Sequence, residues 1–157
     1  MDLCRRLVLA LAALSAWATP VAAQRPLTVQ GVRSLTFGTL LAGVNKSVLR
    51  TDAINGGQFD ISGPSRASVL LTFTLPASMA GPGGATLPLS FGSKDGGWSP
   101  PQQIGTQTGF DPRAPFTAPL DQNGKVSAYL GGTAQPTANQ RAGSYTGTIT
   151  LTVVVLP

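Results

Sequence analysis

The stretch AGSYTGTITLTVVVLP, residues 142–157, decides how the fold is read. From Tyr145 to Val155 the odd positions carry Tyr145, Gly147, Ile149, Leu151, Val153 and Val155, while threonine fills positions 146, 148, 150 and 152. Successive side chains of a β-strand point to opposite faces, so this pattern predicts one long strand with an apolar face and a hydroxyl face. Between Ser144 and Leu156 there is neither a lysine nor a proline. Such residues blunt exposed strand edges against unwanted pairing. What this strand pairs with is therefore the question that leads toward function.

The same alternation recurs upstream. Leu27 and Val29 alternate, as do Leu35 and Phe37, with Gly31 between the pairs at a plausible bulge. Phe59 and Ile61 share one face of GQFDISG, with Asp60 on the other. In ASVLLTFTLP, Val69, Leu71, Phe73 and Leu75 face one way until Pro76 ends the run. ATLPLSFG points Leu87, Leu89 and Phe91 inward, and its Pro88 suits an edge strand. KVSAYLGG places Val126, Ala128 and Leu130 on one face. INGG, GPGG and DQNGK supply turns between these runs. About seven or eight short strands joined by turns predict an antiparallel, all-β sandwich in one domain over residues 24–157.

Residues 1–23 read differently. A basic start, MDLCRR, precedes the apolar run Leu7–Ala18, and small residues occupy positions 21 and 23. This is the pattern of a cleavable signal peptide; the run is shorter than the roughly 20 residues needed to span a bilayer. Export to the periplasm or cell surface follows as an expectation, with no membrane span after cleavage. Cys4 is the single cysteine and lies in the leader, so the exported part relies on packing and strand pairing without disulfides.

The chain carries 11 Lys plus Arg against 6 acidic residues, all Asp, for a net charge of +5. After the leader the cations are scattered singly, which argues against a nucleic-acid surface. There is no histidine, hence no usual base for a Ser or Cys nucleophile and no imidazole metal ligand. The carboxylates of KDGG, FDPR and DQNG neighbour turn formers, and turn roles explain them better than a pair facing across a cleft. No catalytic residue, metal ligand or cofactor is assigned. Residues 92–119 are rich in Gly, Pro, Gln and Ser and read as a long loop segment. Its aromatics Trp98, Phe110 and Phe116 either stack on a glycan or protein partner or fold back as a minor core.

LTFGTLLAG (residues 35–43) and NQRAGSYTGTITLTVVV (residues 139–155) resemble spore-coat-protein-U-like and fimbrial-like secreted bacterial domains. That resemblance implies an immunoglobulin-like sandwich at the periplasm or surface of a Gram-negative bacterium. It further implies assembly by β-strand addition with protein partners, either a chaperone and usher or like subunits. The family's common disulfide has no counterpart here, and Leu156 stands where pilins carry an aromatic residue. On this reading the chain is a structural or assembly subunit, not an enzyme. Its partner-strand interface is Leu27, Val29, Leu35, Phe37, Tyr145, Ile149, Leu151, Val153 and Val155. The alternative is a self-contained surface module that binds through the 92–119 loop. Residues 24–34 serve either as a donated arm or as the domain's own first strand.

Overall fold

The computed structural model describes residues 25–101 and 103–157. The leader expected over residues 1–23 lies outside the described residues. Twelve strands follow in order: β1 (Thr28–Arg33), β2 (Lys46–Val48), β3 (Gly57–Ser62), β4 (Ser68–Thr74), β5 (Ser78–Ala80), β6 (Thr86–Ser90), β7 (Gly96–Ser99), β8 (Thr108–Phe110), β9 (Phe116–Pro119), β10 (Lys125–Leu130), β11 (Gly132–Ala134) and β12 (Thr150–Val155). The only helical turns among the described residues are short 3-10 pieces at Pro82–Gly84 and Ile104–Thr106. The count exceeds the seven or eight read from periodicity because three-residue strands carry too few alternations to register as a pattern.

Three antiparallel sheets form an all-β sandwich. Their orders are β1-β3-β10-β7-β8, β2-β11-β6-β5 and β12-β4-β9. The first and third face each other across the main core, where Ile61, Val126, Ala128 and Leu130 meet Val69, Leu71, Phe73 and Ala118, all buried. A second, smaller core of Phe37, Val48, Leu87 and Ala134 lies under the four-stranded sheet. The chain passes from one sheet to the next at Gly131, between β10 and β11, where a Cβ would press against the backbone of Val48 and Arg50.

Several sequence readings take definite form. The bulge expected near Gly31 is present: the β1–β3 register shifts between Gly31 and Arg33, leaving Val32 half exposed. Residues 28–33 form the domain's own first strand, paired with β3. The DQNG turn is held by Asp121, whose carboxylate accepts the N–H groups of Asn123 and Lys125.

Three readings need correction. The strand read over residues 144–156 is a ladder only from Thr150 to Val155; Tyr145–Ile149 touches a neighbour at the single bridge between Thr146 and Ala80. Pro88 lies on β6, which is flanked on both sides by β5 and β11. It is tolerated there because its carbonyl accepts the Gln135 N–H, and its nitrogen has no hydrogen to leave unpaired. Finally, residues 92–119, read as a long loop segment with room for short strand pieces near Ile104 or Phe110, supply β7, β8 and β9, with β8 ending at Phe110. Gly96 and Gly97 hid β7 from a propensity reading, since glycine is depleted in strands.

Candidate partner-strand groove

The sheet orders define which strands lie at the edges of the sandwich. In an immunoglobulin sandwich one sheet runs A-B-E-D and the other C-F-G. Here β1-β3-β10-β7 follows A-B-E-D, and β4-β12 follows C-F. A second mark of strand F is present. The Tyr145 hydroxyl donates to the Arg141 carbonyl at 2.7 Å, the corner that in such sandwiches precedes strand F. Among the described residues no strand occupies the G position beside β12. β12 pairs with β4 on one side only, and β1 pairs with β3 on one side only.

These two edge strands mark the open margin, or seam, of the two sheets that enclose the main core. Along β12 the apolar face carries Leu151, Val153 and Val155, each only half buried although directed at the main core. On the opposite edge Leu27 is half buried and Val29 remains 40% exposed. Full burial of such side chains is worth about 1.5–3 kcal/mol each, so the seam leaves part of that stabilisation unrealised.

Beyond the ends of β1 and β12 the seam widens into a groove of about 820 Å³. One lip is segment 34–42 and the other is segment 140–149; Met79, Leu87 and Leu89 contribute to its wall. Leu35, Leu40, Met79, Leu89 and Tyr145 pack on the smaller core while remaining partly open. Phe37 is buried, Ile149 is half buried, and both line the groove. The lips carry backbone outside any ladder. Thr36 donates to Asn55 and Thr146 exchanges bonds with Ala80, but among the described residues the N–H groups of Phe37–Ala42 and Gly147–Ile149 find no backbone acceptor.

The C-terminal lip is held by a specific dock. The Tyr145 ring lies flat against Gly81, where any Cβ would collide with ring carbons. Its hydroxyl also accepts a hydrogen bond from the Gln140 side-chain amide at 2.7 Å, and that amide reaches the Thr86 carbonyl at 3.0 Å. The Gly-x-Tyr-x-Gly run of residues 143–147 is thus explained: Gly143 approaches the Pro82 ring and Gly147 approaches Met79 and Pro76. The GPGG stretch, read from sequence only as a turn, is the cradle for this tyrosine.

The nine residues named from sequence for a partner-strand interface fall in two separate places. Leu35, Phe37, Tyr145 and Ile149 line the groove, while Leu27, Val29, Leu151, Val153 and Val155 line the seam. The aromatics of 92–119 are elsewhere. Phe110 is buried, and its ring stacks on Phe116 at 4.4 Å and on Phe73 at 6.2 Å. Trp98 approaches Phe116 at 6.4 Å. These rings join the main core, not a minor one and not an exposed loop platform. Sequence reading missed Leu40 and Met79 and placed Leu87 and Leu89 only as inward-facing, because the groove depends on two chain segments meeting across the sandwich.

Each carboxylate has a local occupation. Asp52 accepts N–H groups from Asn55 and Ile54, with the Asn55 backbone bond the main reason its pKa is lowered. Asp95 accepts the Gly92 N–H, and Asp60 accepts from Ser127 at 2.7 Å. The two-point pair with Arg113 holds Asp111 down to about 2. Among the described residues no cluster of three or more His, Cys, Asp or Glu could hold a metal, and no helix is long and apolar enough to cross a membrane.

Residues 46–154 match the family described as Domain of unknown function (DUF4402). The chain belongs to that family. No curated protein matches it. The matched DUF4402 region runs from β2 to the penultimate residue of β12, so it contains the C-terminal lip and most of the groove wall.

Proposed function

We propose that this DUF4402 chain is an exported, non-enzymatic structural or assembly subunit that associates by β-strand addition. The observation that supports this reading is the edge of β12, unpaired among the described residues: an unblunted strand that runs into a groove whose lips both carry unladdered backbone. An incoming strand gains main-chain hydrogen bonds at such an edge and sets alternate side chains into the apolar trough. The resemblance to fimbrial-like and spore-coat-U-like domains, and the leader-type N-terminus, support a periplasmic or surface setting with protein partners. Phe110 and Phe116 in the core leave the 92–119 segment without the exposed platform that a glycan-binding module needs.

Solution size tests the proposal. Residues 24–157 purified alone are expected to self-associate weakly, edge to edge along β12 and without donation of the N-terminal arm, as concentration rises, because an open edge is a template for pairing. Ile149→Lys, which puts a charge at the head of that edge, is expected to return the protein to monomer with unchanged circular dichroism. A parent protein that stays monomeric at all concentrations, with slowly exchanging amides along both sides of β12, would contradict it.

A further inference from the structure

Resting on the strand-addition reading above, we propose that the strand filling the groove comes from a different polypeptide, and that it is apolar in alternation with Asp or Glu at its flank. Charge carries the inference. Among the groove's lining residues Arg141 is the single charged one, and its guanidinium rests over Gly83 at the lip. On the other lip the Lys46 ammonium donates to the Thr39 carbonyl at 3.3 Å, beside Gly38. No carboxylate among the described residues answers these cations. Asp52 and Asp121 hold turns, Asp60 and Asp95 bond to Ser127 and Gly92, and Asp111 is paired with Arg113.

A second copy of this chain is a poor donor. Its N-terminal arm is already laddered as β1, and that strand is bracketed by Arg25 and Arg33. No acidic residue occurs between Arg25 and Thr51. Inserted into a neighbour's groove, the arm would set arginines beside Arg141 and Lys46, and like charges in close cross-strand contact destabilise pairing. A partner strand with a flanking carboxylate turns the same geometry into attraction and orients the strand along the groove.

Three synthetic peptides test this against residues 24–157: an alternating Val-Thr strand ended by Asp, the same strand ended by Lys, and the chain's own residues 25–36. Binding is read by fluorescence anisotropy at low and high salt. The Asp-ended peptide is expected to bind about fivefold more tightly than the Lys-ended one, a range set by exposed ion pairs. That preference is expected to shrink toward unity in Arg141→Gln and at high salt, where screening removes it. Equal or tighter binding by the Lys-ended peptide or by the 25–36 peptide overturns the proposal while leaving strand addition intact. If none of the three binds, strand addition itself fails, and the proposal falls with it.

Discussion

β10 and β12 are both six residues long, yet the structure treats them in opposite ways. β10 lies between β3 and β7 and is buried on both faces from Val126 to Leu130. β12 has β4 on one side only, and its apolar residues are half exposed. Alternation fixes which face a side chain takes. Whether that face is sealed depends on neighbours contributed from distant sequence. Among the described residues the sandwich is flanked on both sides at β10 and on one side only at β12.

The contrast can be broken by substitution. Leu130→Ala in the closed region is expected to cost about 3–4 kcal/mol in urea unfolding, since nothing nearby can fill the cavity. A cost near 1 kcal/mol would mean that this region is also loosely packed. Tyr145→Phe keeps the ring on Gly81 but removes the hydroxyl bonds to Arg141 and Gln140. Its expected cost is about 1–2 kcal/mol, and faster amide exchange in residues 140–149 should accompany it. Val153→Ala on the open edge should cost only about 1 kcal/mol, because part of that side chain is already in water. A penalty equal to that of Leu130→Ala would place β12 in a sealed interior.

The smallest expected effect is electrostatic and lies away from the seam. Asp111 is held near 2 in the folded chain by Arg113, against an ordinary 3.8. A carboxylate with a depressed folded pKa stabilises fully above its unfolded pKa and loses that contribution as pH falls through the folded one. Asp111→Asn should therefore be slightly less stable than the parent at neutral pH. The two should converge between about pH 4 and pH 2, as read by thermal unfolding at each pH. The pair is exposed, so the difference is modest.

Much of the fold was legible because each main strand announces its face by period two. The residues singled out at the two ends of the chain fall partly on the groove lining and partly on the edge strands β1 and β12. Three things were not legible, each for a physical reason. The outer face of β10 is buried with Ser127 and Tyr129, which alternation reads as solvent-facing. The strands of 92–119 carry glycines that suppress the strand signal, so aromatics of the main core were read as either a binding platform or a minor core. The groove wall formed by Met79, Leu87 and Leu89 exists only because the β5–β6 hairpin sits beneath Tyr145, a contact between residues far apart in sequence.

The most direct test is to supply the strand that β12 lacks. A hairpin turn and an alternating Val-Thr strand with a terminal Asp would be fused after Pro157, and thermal unfolding and solution size compared with the parent. Filling a vacant position should raise the unfolding midpoint by about 5 °C or more and abolish self-association. An unchanged midpoint, with the added strand exchanging its amides as freely as an unstructured tail, would show that no vacancy exists beside β12.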